Sequence, residues 1–176
     1  YAVCGYLGGG FPPGEFSMPH ALRVMKVLGE CHRRAYRLIH RIHKELGYAE
    51  PKVGLAMHMR AFVPYNATNL WHRIACRISE YNFQTKLNKT YMLGRDCRYA
   101  DFLGLNYYAR TATSGLGDGT LPHVPVNDLG WEIYPAGIVE CAEKLHELLP
   151  ELPIYITENG TADNHGEGTG ELTAAA

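Results

Sequence analysis

Three short apolar segments, spaced about fifty residues apart with one helical pattern between each neighbouring pair, constrain the fold of this chain most strongly. They begin near Lys52, Asp101 and Ile154. Regular alternation of strand and helix is typical of right-handed βαβ units, in which parallel strands form one sheet. The sequence therefore predicts the α/β class. Periodicity alone leaves open both a closed (β/α)8 barrel and an open doubly wound sheet, because both alternate strand with helix.

One helical pattern precedes the first predicted strand, and two lie between the predicted strands. Apolar residues recur at three- and four-residue steps over residues 19–46, and Gly47 follows as a helix end. A second pattern covers residues 69–87. A third follows Pro135, a residue that suits the first position of a helix, and Pro150 stops it. The sequence thus predicts three main helices.

Composition excludes several classes of function. The formal net charge of −1 gives no basic surface for nucleic acid. The five cysteines are widely spread and form no C-x-x-C pair, which favours neither a zinc site nor a disulfide framework and suits a reducing compartment. No stretch approaches the ~18 apolar residues that span a bilayer. We therefore expect a cytoplasmic protein with no nucleic-acid or membrane partner.

The two ends of the chain indicate a fragment. The chain opens at Tyr1 without a methionine, and residues 166–176 are rich in Gly, Thr and Ala without apolar periodicity. Its 176 residues fall short of the ~250 that a full (β/α)8 barrel usually needs. We expect one partial domain over residues 1–165 and a linker or truncation scar over residues 166–176.

Polar residues cluster at the predicted carboxyl ends of the strands, where parallel α/β folds gather their functional side chains. His58 lies near the end of the first strand, Asn106 and Tyr108 end the second, and Glu158 follows the third. Glu158 is the one carboxylate that directly follows a predicted strand. From the residues alone, it is either a turn or capping residue or a carboxylate presented into a cleft.

Several segments resemble those of family 1 glycoside hydrolases. The family's nucleophile strand resembles residues 154–160, Ile-Tyr-Ile-Thr-Glu-Asn-Gly. A preceding strand of the family resembles residues 101–108, Asp-Phe-Leu-Gly-Leu-Asn-Tyr-Tyr. Further similarity lies in residues 130–138, Gly-Trp-Glu-Ile-Tyr-Pro-Ala-Gly-Ile, and in residues 11–14, Phe-Pro-Pro-Gly. The resemblance extends over residues 1–164, and the motifs agree with the family in order and spacing.

This resemblance implies both a fold and a reaction. It implies a TIM barrel, of which the chain holds about strands five to seven with their helices. It also implies a retaining β-glucosidase, with no cofactor, that hydrolyses β-glucosides through a glycosyl-enzyme. The resemblance makes Glu158 the nucleophile, gives Tyr108 the task of orienting it, and places Asn106 in the sugar-binding site. The resemblance does not specify which sugar or aglycone is bound, and phospho-sugars are among the substrates that the family accepts.

The sequence also departs from the family. A retaining glycosidase needs a second carboxyl ~5 Å from the nucleophile as acid/base, and the family's Asn-Glu-Pro motif that supplies it is absent here. Glu15 and Glu132 are the nearest substitutes by position, but they lie in a loop and a turn. The alternative hypothesis is therefore an inactive half-barrel that binds sugar weakly or self-associates through exposed sheet edges.

Other candidate residues have two interpretations each. His40 and His43 are three residues apart on a helix, but no third ligand is evident, so we predict no metal site and interpret them as a solvated helix face. Trp131 is either a stacking wall for a sugar or aglycone, or a buried anchor for the next helix. His58 points into the active-site mouth or fills the interior, and the structural role is favoured.

Overall fold

The computed structural model describes residues 2–93 and 99–163. The predicted tail over residues 166–176 lies outside the described residues, and the partial domain over residues 1–165 stays a prediction. The chain divides into two compact units. The first contains Tyr1–Gly54 and Lys86–Asp101, and the second contains Leu55–Thr85 and Phe102–Ala176.

The first unit contains helices α1 (Ala2–Tyr6) and α2 (Met18–Glu45). Ser17 caps α2, and its side chain accepts a hydrogen bond from the backbone N–H of His20. Gly47 follows the helix with a φ of 69°, a conformation that glycine adopts without steric cost. The helix predicted over residues 19–46 is confirmed, because local capping signals determine both of its ends.

Asp101 connects several parts of this unit. Its carboxylate accepts hydrogen bonds from the Tyr36 hydroxyl at 2.7 Å, from His40 Nε2 at 3.0 Å and from the Val53 N–H at 2.8 Å. Burial alone would raise the pKa of Asp101, but these donors bring it below its ordinary value. The interpretation of His40 as part of a solvated face is wrong, because its side chain is only 22% exposed and binds Asp101.

The second unit is built around a four-stranded sheet. Its strands are β1 (Gly54–Pro64), β2 (Phe102–Thr113), β3 (Asp118–Gly119) and β4 (Ile154–Asn159). Strand β2 pairs with each of the other three, parallel to β4 and antiparallel to β3. Alternate side chains of β2, those of Leu103, Leu105 and Tyr107, are buried and form the centre of the core.

Helices complete this unit. Helix α3 (Leu70–Glu80) begins after Asn69, whose side chain caps it, and a π-helical segment (Tyr81–Leu93) follows, of which residues 81–85 belong to this unit. Helix α4 (Gly137–Leu148) begins two residues after Pro135. The α/β class is confirmed. None of the helices in the described residues is long and apolar enough to cross a membrane.

Two predicted strand ends were too early. Strand β2 continues to Thr113, five residues past the predicted end at Tyr108, and β4 continues to Asn159. Glu158, predicted to follow its strand, therefore lies within β4, whereas Asn106 and Tyr108 lie within β2 as predicted but not at its end. The polar residues in these segments do not match the apolar pattern expected of a buried strand, so the sequence did not indicate them. Pairing within the sheet nevertheless stabilises them as strands.

Candidate active site

A register shift between β2 and β4 brings the predicted site residues together. Leu105 pairs with Ile156, whereas Asn106 pairs with Glu158, so Thr157 is an extra residue on β4. Such a bulge re-aims the side chains that follow it. Gly104 makes room for the bulge, because a Cβ atom at this position would lie 2.7 Å from Thr157 Oγ1 and 3.0 Å from Ala56 Cα. Glu158 is thereby placed beside Asn106 and within reach of Tyr108.

Tyr108 donates a hydrogen bond from its hydroxyl to Oε2 of Glu158. The two residues are fifty apart in the chain. This hydrogen bond is the first cause that raises the pKa of Tyr108, so the phenol stays protonated and continues to donate. A charge-assisted hydrogen bond of this kind restricts the rotamer of the carboxylate. The structure thus places the Tyr108 hydroxyl in direct contact with the Glu158 carboxylate, and the orienting role of Tyr108 stays a prediction.

Asn106 lies next to this pair and retains donors for a ligand. Its Oδ1 accepts a hydrogen bond of 2.5 Å from the Thr157 hydroxyl. None of the hydrogen bonds found within the described residues involves its Nδ2 group, and the residue is half-buried. The bulge residue therefore fixes the amide orientation and turns its N–H groups away from Thr157.

Two cavities flank Tyr108. The larger measures about 270 Å³ and is lined on one side by His58 and Arg60 and on another by Trp131. The smaller measures about 200 Å³ and is lined by Tyr134 and by Asn159, the residue after Glu158. The Trp131 side chain is 46% exposed and meets the Tyr108 ring edge-on, with centroids 6.3 Å apart. Of the two interpretations of Trp131, the cavity wall is the one that this geometry supports.

His58 belongs to the wall of the larger cavity. Its ring stacks on Tyr108 with centroids 6.0 Å apart and meets Phe83 edge-on, while its Nε2 accepts a hydrogen bond from Arg60 Nε at 3.1 Å. Desolvation by these neighbours, then the Arg60 charge, lowers the pKa of His58 to about 4, although Glu158 acts in the opposite direction. His58 is therefore neutral at pH 7. It is packed against aromatic neighbours, as the favoured structural role requires, but it also lines the larger cavity.

Sequence reasoning missed the partner of Glu132. This side chain is only 2% exposed and makes two hydrogen bonds with the Arg110 guanidinium, including one of 3.1 Å from Nε to Oε2. Glu132 is thus committed to an ion pair and does not supply an acid/base. The two residues are twenty-two apart in the chain, so no local pattern indicates the contact.

Other candidates do not form a site. Glu15 binds His20 at 2.5 Å on the surface of the first unit. His43 Nδ1 lies 2.8 Å from the carbonyl oxygen of Ala49. Within residues 2–93 and 99–163, no group of three or more His, Cys, Asp or Glu side chains is arranged to hold a metal ion.

Known proteins that are similar to this chain in sequence and fold include glycosidases. No family model matches the chain. A curated β-galactosidase from Saccharolobus solfataricus is 29% identical over 191 residues, which cover 91% of this chain and 37% of that protein. A β-glycosidase structure from Pyrococcus horikoshii is 26% identical with a TM-score of 0.76, covering 93% of this chain and 41% of that one. This chain is similar in sequence and in fold to family 1 glycoside hydrolases.

A third comparison agrees with this family. The family 1 β-glucosidase from Thermotoga maritima in complex with isofagomine lactam is 26% identical with a TM-score of 0.74, and the match covers 93% of this chain and 42% of that one. The predicted resemblance to family 1 is confirmed, and the fold is a partial α/β barrel. The chain spans about two fifths of the length of these relatives.

Proposed function

We propose that this chain carries the nucleophile-bearing part of a retaining β-glycosidase of the β-glucosidase type. The hydrogen bond from Tyr108 to Glu158, beside a cavity with an aromatic wall, is the observation that carries the proposal. It supplies an oriented carboxylate at one edge of a sheet. Sugar-cleaving enzymes use such a carboxylate together with an apolar surface for the substrate ring.

Glu158 is the proposed nucleophile. Its carboxylate oxygen attacks the anomeric carbon, and the bond from that carbon to the leaving oxygen breaks, giving a glycosyl-enzyme. Water later attacks the same carbon and releases Glu158. Tyr108 holds the attacking rotamer, and Asn106 donates from Nδ2 to a sugar hydroxyl. The reaction also needs a second carboxyl as acid/base, and none of the residues described above is assigned to it.

The proposed substrates are β-glucosides or disaccharides such as cellobiose. The larger cavity, with Trp131 as a wall, is suited to an aromatic aglycone or a second sugar ring, because both present a flat apolar face. The curated relative from Saccharolobus solfataricus is a β-galactosidase, so β-galactosides should be tested as substrates alongside β-glucosides. The proposed chemistry involves carboxyl groups alone and needs no cofactor.

The stereochemistry of hydrolysis tests this proposal. The chain is incubated with 2,4-dinitrophenyl β-glucoside, whose activated leaving group needs little acid assistance, and the first product is observed by proton NMR. We expect β-glucose before mutarotation, because two inversions at the anomeric carbon retain its configuration. The α-anomer as first product, or release no faster than from Glu158→Gln, would disprove the proposal. The β-galactoside, run in parallel, compares the two sugars.

A second candidate function is self-association of a catalytically inactive half-barrel. Within the described residues β4 pairs with β2 alone, and its Tyr155 and Ile156 side chains are 57% and 62% exposed. An open strand edge with apolar side chains favours pairing with another chain. Light scattering after size-exclusion chromatography distinguishes the cases. A dimer that Ile156→Lys converts to monomer supports association, and a monomer at all concentrations contradicts it.

The proposed location is a reducing cytoplasm. Cys4, Cys31, Cys76 and Cys141 are free cysteines. Burial raises the pKa of the Cys141 thiol to about 12, which keeps it protonated and unreactive. Free thiols of this kind support the prediction of a compartment in which disulfides do not form.

A further inference from the structure

Arg110, one of the residues that line the larger cavity, forms an enclosed ion pair with Glu132. Glu132 is 2% exposed and the Arg110 side chain 19% exposed. The guanidinium donates from Nε and Nη2 to the two carboxylate oxygens, which is the bidentate geometry that fixes both partners in one orientation. Arg110 also lines the cavity. Because enclosing two charges is costly, a pair in this position needs a reason beyond stability.

The pair connects the two segments that supply the aromatic walls. Arg110 is two residues after Tyr108 on β2, so both side chains lie on the same face of the strand. Glu132 directly follows Trp131, and backbone bridges pair it with Arg110 and with Val126. The ion pair therefore links the strand segment that carries Tyr108 to the turn that carries Trp131, the two aromatic residues of the cavity wall.

Neighbouring contacts hold the Trp131 backbone from the other side. Asn127 Oδ1 accepts a hydrogen bond of 3.0 Å from the Trp131 N–H, and the Trp131 carbonyl accepts one of 2.9 Å from the Asn127 N–H. The Arg110 guanidinium lies over the Tyr134 ring at 3.9 Å, and the Tyr134 carbonyl accepts a hydrogen bond from buried Tyr107. Backbone contacts thus hold the turn, and the ion pair is the side-chain contact that joins Glu132, the residue next to Trp131, to β2.

We propose that the Arg110–Glu132 ion pair is a positioning device that holds Trp131 against Tyr108 and so sets the wall of the subsite for the leaving group. Neither residue touches the reacting atoms in this arrangement. Arg110 acts through Tyr108 on its own strand, and Glu132 acts through the adjacent Trp131. The consequence for substrates rests on the proposed glycosidase function, whereas the restraint on Trp131 does not.

The restraint is tested by the rotational freedom of the Trp131 indole. The chain has two tryptophans, so Trp71→Phe leaves Trp131 as the single fluorescent reporter, and Trp71 is 57% exposed and outside both cavities. Time-resolved anisotropy is then measured with Arg110→Lys and with Glu132→Gln. Lysine keeps the charge but loses the planar fork, and glutamine keeps the shape but loses the charge.

We expect both substitutions to increase the amplitude of the fast, sub-nanosecond depolarisation of Trp131. The matched control is Glu80→Gln, which removes the partially exposed ion pair with Lys144 at 3.3 Å and should leave the anisotropy unchanged. The double variant Arg110→Met, Glu132→Leu fills the same space without charges and serves if a single variant does not fold. Unchanged anisotropy in every folded variant at these two positions would overturn the proposal.

The effect on the subsite is tested by two covalent inactivators that differ in the leaving group alone. 2-Deoxy-2-fluoro-β-glucosyl fluoride releases fluoride, a small anion, when it reacts. Its 2,4-dinitrophenyl counterpart releases dinitrophenolate, an aromatic anion. Arg110→Lys should slow labelling by the aromatic donor about threefold to tenfold more than labelling by the fluoride, and this difference should vanish when Trp131 is alanine. Equal slowing of both donors, or a difference that persists with Trp131→Ala, would contradict a wall-setting role.

The two experiments separate this inference from the proposed function. If the wild-type chain is not labelled by either donor, the glycosidase proposal fails, and the anisotropy of Trp131 alone decides whether Arg110 and Glu132 restrain it. If the wild type is labelled but the anisotropy does not respond, the nucleophile assignment stands and the positioning proposal is overturned.

Discussion

The phenol of Tyr108 and the carboxylate of Glu158 are joined by a hydrogen bond across two neighbouring parallel strands. This contact depends on the extra residue that Thr157 adds to β4, because without the bulge Asn106 would oppose Thr157 and the strand would present other side chains. The sheet register is therefore part of the site, and substitutions that disturb it are expected to act on chemistry as well as on stability.

Tyr108→Phe should slow formation of the glycosyl-enzyme about tenfold to hundredfold, the effect expected from losing a hydrogen bond to a charged group. The ring and its stacking on His58 are retained, so the loss reports on the hydroxyl. The rate of covalent labelling by the 2-fluoro fluoride donor measures it. The matched control is Tyr155→Phe, an exposed tyrosine on β4 that contacts Phe102 through its ring. Equal labelling rates for wild type and Tyr108→Phe would refute an orienting role.

Gly104→Ala should destabilise the second unit by about 1–3 kcal/mol, as overpacking does in a filled interior. The added methyl would lie 2.7 Å from Thr157 Oγ1 and 3.0 Å from Ala56 Cα, so both neighbouring strands would have to move. Urea unfolding followed by circular dichroism gives the free energy of unfolding. Gly117→Ala is the control, because nothing lies within 4 Å of its Cβ position. A loss no larger than that of Gly117→Ala would show that the close approach is unimportant.

Local patterns predicted the main helices and the three longer strands, but not the short elements α1 and β3 or the strand ends. Helix α2 was predictable because its apolar residues recur at three- and four-residue steps and Gly47 is a local signal at its end. The last part of β2 was not, because its polar residues, such as Thr111 and Thr113, are buried by neighbours distant in the chain. The π-helical geometry of Tyr81–Leu93 has no signal in the apolar periodicity, which indicates a helix without specifying its winding.

The candidate site was predictable where motifs carried it. Glu158, Tyr108 and Asn106 follow from two strand motifs, and the structure brings the three side chains together, although their catalytic roles stay predictions. Contacts between distant residues were not predictable. Neither the ion pair of Arg110 with Glu132 nor the hydrogen bond of His40 with Asp101 leaves a local trace, because each depends on how separate elements meet.

His58 should titrate near pH 4, well below the ~6.5 of an unperturbed histidine. Between these values the unfolded chain binds the proton more readily than the folded chain. The stability contributed by neutral His58 is therefore present in full above about pH 6.5 and is lost as the pH falls towards 4. The NMR shift of the His58 ring protons gives the midpoint directly, with His58→Gln to assign the signal. A midpoint close to 6.5 would show that the ring is not desolvated.

The pH dependence of unfolding provides a second readout for the same residue. Wild type should lose more stability than His58→Gln between pH 6.5 and 4, because glutamine does not titrate. The difference reports on His58 alone, provided that the neighbouring charges of Arg60 and Glu158 are retained in both proteins. Parallel pH curves for the two proteins would argue against a lowered pKa.

The most direct test of the central claim is the mass of the chain after incubation with 2-deoxy-2-fluoro-β-glucosyl fluoride, followed by peptide mapping. The fluorine slows release of the glycosyl-enzyme, and the fluoride leaving group reduces the need for an acid, so the nucleophile is tested by itself. We predict one covalent 2-fluoroglucosyl group on wild type, attached to Glu158, and none on Glu158→Gln. A folded wild-type chain that remains unmodified, or one labelled at a different residue, would contradict the assignment of Glu158 as the nucleophile.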